Sequence, residues 1–211
     1  MTLRSTLRMS LAAVAAMLAL AACQFGAVKG PAVGGRPTPR WVIEGVPLDF
    51  ITGGGWFAVQ GDEVGTQPGV TANFGWHGGV KNGNWWGNGN YIDHGIGLHV
   101  NVTSVTGYAR IFEDGTDSTG HPTGTREICG YADTDLYGSV RFVVYMQDFG
   151  EPGRQDKFYI GLYDNGGVLF YRAEGSLGDP TPGGGNIQLH RGNSSNTAPA
   201  TPCDCSPDPF G

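Results

Sequence analysis

Basic residues and long apolar runs are both scarce in this chain. The 211 residues include 13 Lys and Arg against 19 Asp and Glu, which gives a formal net charge of −6. Because an acidic surface repels phosphate groups, nucleic acid is not an expected partner. An almost uninterrupted apolar run covers residues 9–20 and is shorter than the roughly 20 residues that a transmembrane helix needs.

The chain also lacks helical periodicity and recognised catalytic motifs. Its 37 glycines and 13 prolines disfavour long helices and favour short strands joined by tight turns. No nucleophile elbow, phosphate-binding loop or dinucleotide fingerprint occurs, and the five histidines are not spaced as metal ligands. The sequence therefore favours a protein that is not an enzyme.

The N-terminal segment has the three parts of a secretory signal. Arg4 and Arg8 precede the apolar run, and Leu20-Ala21-Ala22-Cys23 ends it. This last motif resembles the lipobox of bacterial lipoproteins, which implies that residues 1–22 are a cleaved signal peptide and that Cys23 carries the lipid, including palmitate. Gln24 stands where an Asp would resemble an inner-membrane retention signal, so the outer membrane is favoured for a Gram-negative host.

Four regions follow from this interpretation. Cleavage before Cys23 removes two arginines and no acidic residue, so the net charge changes from −6 to −8. Residues 23–40 form the lipidated cysteine and a Gly/Pro-rich tether, residues 41–192 the folded body, and residues 193–211 a disordered polar tail. The expected partners are a membrane, reached through the lipid anchor, and a glycan or another protein of the cell envelope.

Alternation of apolar and polar residues predicts strands throughout the body. The clearest alternation is over 96–102, 140–146 and 158–162. Shorter strands are predicted at 55–59, 71–76, 85–93, 108–113, 126–132, 168–173 and 186–190, with turns at Asn82-Gly83 and Asn165-Gly166 among others. About ten short strands at this spacing predict an all-β fold, an antiparallel β-sandwich or jelly-roll.

Several motifs together resemble the post-COAP domain of bacterial and archaeal surface proteins. The most specific are Gly53-Gly54-Gly55-Trp56, the Asp-x-Gly-Glu-Pro-Gly-x-x-Asp pattern of residues 148–156, and the Gly-Gly-Asn-Ile-Gln-Leu-His pattern of residues 184–190. The resemblance covers residues 50–191. It implies a β-rich extracytoplasmic domain and does not imply an established activity.

Three cysteines remain once Cys23 is assigned to lipidation. An extracytoplasmic address permits disulfides, but three thiols cannot all pair within one molecule. A bridge between Cys203 and Cys205, which are one residue apart, would be strained. We therefore predict a disulfide from Cys129 to either Cys203 or Cys205.

The segment 147–156 contains the densest group of acidic residues. Asp148, Glu151 and Asp156 lie in a hairpin loop between two predicted strands. Three carboxylates on a tightly turning backbone are suited to Ca²⁺, so these residues are a candidate site for structural calcium. In the alternative, which we favour, the same carboxylates accept hydrogen bonds from loop amides. No other cofactor is expected.

Trp85 and Trp86 are the candidate ligand-binding residues. Adjacent strand residues point to opposite faces, so one indole can enter the core while the other remains available to a ligand such as a sugar ring. In the alternative, both indoles are covered. The sequence thus favours a membrane-anchored, secreted binding or structural module without enzymatic activity. The alternative function is a carbohydrate-active protein, either a sugar-binding module or a glycan hydrolase.

Overall fold

The computed structural model describes residues 47–111, 115–201, 203 and 205, and over these residues it contains strands and no helix. The predicted all-β antiparallel fold of about ten strands is confirmed. The strands are β1 (Phe50–Ala58), β2 (Gln60–Val64), β3 (Thr71–Lys81), β4 (Asn84–Asp93), β5 (Leu98–Arg110), β6 (Gly115–Thr116), β7 (Pro122–Thr134), β8 (Gly138–Asp148), β9 (Lys157–Tyr163), β10 (Leu169–Ser176) and β11 (Gly183–His190).

One continuous antiparallel sheet contains all of these strands except β6, which pairs only with β7. The strand order is β11-β1-β3-β4-β5-β7-β8-β9-β10-β2. β1 and β2 are separated only by Val59, yet β1 is second in this order and β2 is last. Because the two strands are covalently joined, the sheet curls until its ends approach each other.

β5, which has 13 residues like β7, joins two of the predicted segments. Alternation predicts strands at 96–102 and 108–113, whereas the structure has one strand, Leu98–Arg110. The pairing of β5 with β7 shifts register between Val102 and Ser104 and again between Val105 and Gly107. Each irregularity interrupts the two-residue period, so the sequence pattern is broken although the strand continues.

Aromatic side chains form the core on the concave side of the sheet. Phe74 and Phe158 stack with ring centroids 4.0 Å apart, and Trp76 meets Phe142 edge to face at 5.2 Å. Trp76 lies directly across Gly89 of the neighbouring strand, where a Cβ atom would come within 2.2 Å of the indole. The glycine-rich strands therefore provide room for large rings in the interior.

A second apolar cluster covers part of the convex side, on β5 and on β7 to β9. It comprises Ala109, Ile111, Cys129, Val143, Tyr145, Tyr159 and Tyr163, with Leu169 and Cys205 packed against it. Cys205 belongs to the segment that follows β11, so this segment returns to the middle of the sheet. This placement brings Cys205 to Cys129.

Candidate functional site

The two adjacent tryptophans lie in different environments. Both are half-buried, and Trp85 packs against the aromatic core. Trp86 instead meets Phe50 at 6.2 Å between ring centroids and His77 at 4.8 Å. The strand geometry thus separates the two indoles in the way that their adjacency predicts.

Trp86 lines a cleft of about 240 Å³. The Lys81 ammonium lies 5.5 Å from the centroid of the Trp86 ring, a distance at which a cation is attracted to the ring face. Partial burial lowers the pKa of the nearby His77, which favours the neutral form of its ring. The described residues that line the cleft are Phe50, Val80, Lys81, Asn82, Trp86, Gly192, Asn193, Ser195 and Asn196.

One wall of the cleft comes from the segment after β11, which was predicted from sequence to be a disordered polar tail. The Asn196 Oδ1 atom accepts a hydrogen bond from the backbone N–H of Asn82 at 2.8 Å. The Asn196 Nδ2 atom donates to the carbonyl oxygens of Val80 at 2.5 Å and Leu48 at 3.1 Å. These three bonds tie Asn196 to the β3–β4 hairpin and to Leu48, and so fix this wall of the cleft.

The chemistry of this cleft is suited to recognising a polar ligand with one flat face. Trp86 offers an aromatic surface, Lys81 a positive charge, and Asn82 an amide that both donates and accepts hydrogen bonds. Among the residues described in its lining, none is Asp or Glu.

The acidic loop between β8 and β9 directs its carboxylates at backbone amides. Asp148 accepts from Gly150 N and Leu189 N, both at 2.7 Å. Asp156 accepts from Phe149 N at 2.9 Å and Ile187 N at 2.8 Å. Glu151 lies further out and accepts from the Asn186 side-chain amide at 3.0 Å. Every carboxylate oxygen of Asp148 and Asp156 therefore accepts a hydrogen bond, two of them from loop amides and two from amides of β11.

These carboxylates also protect an edge of the sheet. β11 is the first strand of the sheet order and pairs on one side only, with β1. The amides of Ile187 and Leu189 would be unpaired on its other side, and Asp156 and Asp148 accept from them. An exposed edge can pair with a strand of another chain. Here the loop carboxylates occupy the edge amides of β11 that a further strand would otherwise pair with.

Burial opposes the charge of these two carboxyls. It raises the pKa of Asp156 to about 7 and the pKa of Asp148 above its ordinary value, and the four amide hydrogen bonds offset only part of this effect. Asp117 is a further neighbour that sequence reasoning missed. Its Cβ atom lies 2.7 Å from where a Cβ of Gly150 would be, and hydrogen bonds led by the Thr119 hydroxyl lower its pKa to about 2.

The cysteine pairing is resolved in favour of one of the two predicted partners. Cys129 and Cys205 form a disulfide, and Cys203 is a buried thiol outside it. The three Sγ atoms lie within 4.8 Å of one another. Spacing alone did not select between Cys203 and Cys205, because both reach the same point on β7.

Comparisons of the chain with protein-family models, with curated proteins and with solved structures found no match. The predicted signal peptide, Cys23 and the tether lie outside the described residues. Within the described part of the chain, no helix is long and apolar enough to cross a membrane. The lipobox and the post-COAP resemblance therefore stay predictions that rest on their sequence motifs.

Proposed function

We propose that this protein is a lipid-anchored bacterial lipoprotein, displayed outside the cytoplasm, that acts as a non-enzymatic binding module. Cys23 carries the anchor, and the curled sheet presents the Trp86 cleft. The observation that supports a binding role is that residues from β1, from the β3–β4 hairpin and from the segment after β11 converge on one indole. Hydrogen bonds from Asn196 hold the segment after β11 to the β3–β4 hairpin and to Leu48.

The anchor is tested by replacing Cys23 with Ala. The variant should lose its acyl chains and leave the membrane fraction, because residues 9–20 are too few to span a bilayer. Incorporation of labelled palmitate is the direct measurement, with Cys203→Ser as the control that removes a thiol elsewhere. Equal labelling of the wild type and Cys23→Ala would contradict the lipoprotein assignment.

A second candidate function follows from the chemistry of the same cleft, namely the binding of a glycan. A sugar ring has an apolar face that stacks on an indole and hydroxyl groups around its edge. Trp86 supports the first contact, and Lys81 and Asn82 support the second. The carbohydrate function that we propose is therefore recognition without cleavage.

Titration of the purified protein with a panel of soluble oligosaccharides tests this candidate by calorimetry. Trp86→Ala should weaken binding about tenfold or more, since the loss of aromatic stacking and buried area exceeds about 1.4 kcal/mol. Trp56→Ala is the matched control, because Trp56 is 39% exposed and lies on β1 outside the cleft lining. Equal affinities of Trp86→Ala and the wild type would rule out this cleft as the sugar site.

A further inference from the structure

The convex face of the sheet carries three sulfur atoms in one buried cluster. Cys129 on β7 is bonded to Cys205, and the Cys203 thiol donates to the Cys205 Sγ atom at 3.4 Å. Cys203 is only 5% exposed, whereas Cys205 is half-buried. The Cys203 thiol thus lies in direct contact with the disulfide. Cys203 and Cys205 belong to the same segment after β11, which we call the strap.

A glycine provides the space that these sulfurs occupy. Gly107 is the β5 partner of Cys129, and it follows a register shift in that pairing. A Cβ atom on Gly107 would lie 2.5 Å from the Sγ of Cys205, 2.6 Å from that of Cys203 and 2.7 Å from that of Cys129. No side chain other than glycine leaves room for all three sulfurs at this place.

We propose that Cys129, Cys203 and Cys205 form a thiol–disulfide exchange site in which Cys129 bonds alternately to each tail cysteine. The Cys203 thiolate attacks the Cys129 Sγ atom and forms a Cys129–Cys203 bond. The Cys129–Cys205 bond breaks, its electron pair leaves on the Cys205 Sγ atom, and Cys205 takes up the proton that Cys203 gave to solvent. The three cysteines hold one disulfide and one thiol before and after the exchange, so no oxidant or reductant is consumed.

Attack at Cys129 is the productive direction. Attack at Cys205 would join Cys203 to Cys205, and a bridge between cysteines separated by a single residue is strained. Exchange at Cys129 instead keeps the strap attached and moves its attachment by two residues, with the strap turning to bring the three sulfurs into line. The alternative bridges span nearly equal loops, with a sequence separation of 76 for Cys205 and two fewer for Cys203. Loop entropy therefore does not select between them, and local packing does.

Exchange also changes which thiol reaches solvent. The released Cys205 sits at the more exposed of the two tail positions, so it is the thiol that small alkylating reagents or small-molecule disulfides should encounter first. This difference gives a direct assay. Prolonged treatment of the folded wild type with iodoacetamide should yield a product alkylated at Cys205 and bridged from Cys129 to Cys203, identified by peptide mapping without reduction.

Two serine variants complete the test. Cys203→Ser removes the attacking thiol, so it should keep the Cys129–Cys205 bridge and resist alkylation. Cys205→Ser, equilibrated with oxidised and reduced glutathione, should form the Cys129–Cys203 bridge. Alkylation of the wild type at Cys203 alone, with Cys129–Cys205 intact, would overturn the proposal. So would a Cys205→Ser protein in which Cys129 and Cys203 both stay thiols. If Cys205→Ser does not fold, the wild-type assay still decides.

Discussion

The Arg126 guanidinium joins the start of the described chain to the middle of the sheet. Arg126 is fully buried, and its Nη2 and Nε atoms donate to the two carboxylate oxygens of Asp49 at 2.6 and 3.1 Å. The hydroxyl of Tyr108 donates to the same carboxylate at 2.7 Å. Asp49 immediately precedes β1, so this group fixes the entry of the first strand.

Removing the carboxylate should be costly because it takes away two charge-assisted hydrogen bonds from a fully buried guanidinium. We expect Asp49→Ala to lower the free energy of unfolding by about 3–5 kcal/mol, measured by urea denaturation. Arg126→Met should cost less, since Asp49 retains 16% exposure and can be solvated. A loss below about 1 kcal/mol for Asp49→Ala would mean that the pair behaves like an exposed ion pair.

Asp156 should make stability depend on pH. Its pKa is raised to about 7 in the folded protein and is about 3.9 in an unfolded chain. Between these values the folded state holds a proton that the unfolded state has lost, so stability falls as pH rises from about 4 to about 7 and then levels off. At about 1.4 kcal/mol per pKa unit, the total effect is at most about 4 kcal/mol.

Unfolding in urea at about pH 5 and about pH 8 measures this slope. Asp156→Asn should flatten it, because the amide does not titrate, although it should also lower stability at both pH values by turning a donor toward a backbone N–H. Asp164→Asn is the control, since Asp164 accepts the turn amides of Gly166 and Val168 at an exposed site. Wild-type stability that is constant over this range would contradict the prediction.

At the scale of elements, carboxylates of the β8–β9 loop region hydrogen-bond to the edge strand β11. Because Asp148 and Asp156 already accept four amides, we expect millimolar Ca²⁺ to leave the melting temperature unchanged. Asp148→Ala should lower stability by about 1–3 kcal/mol for each amide left without an acceptor, here those of Gly150 and Leu189. A calcium-dependent rise in melting temperature that Asp156→Asn abolishes would instead support the calcium site.

The elements that local patterns determine were the ones predicted well. β8 and β9 lie where alternation placed them, and the Asn82-Gly83 turn has the two positive φ angles, 51° and 73°, that favour these residues. β2 was missed, because Gln60–Val64 is polar and does not alternate. Its strand character comes from pairing with β10, which is remote in sequence.

At the scale of the whole molecule, the candidate site is a product of topology, and this limits what sequence shows. Trp86 was predicted as a ligand-binding residue from its indole and its tryptophan neighbour. Phe50 and Asn196, which also line the cleft, come from near the two ends of the described chain. Likewise, the β11 amides that donate to Asp148 and Asp156 lie 41 and 31 residues away in sequence. No local signal marks such partners, since each depends on which strands become neighbours.

The position of β1 between β3 and β11 also has a consequence for the order in which the protein is made. Among the described strands β1 is synthesised first, yet one of its two neighbours is β11, the last of them, and the paired residues Phe50 and His190 are 140 residues apart. Contacts so distant in sequence slow folding. A nascent chain cannot complete its sheet until β11 emerges, and β1 lacks one of its two neighbours until then. For a protein that we propose is exported, this delay leaves time for the unfolded chain to be passed across a membrane before the sheet is complete.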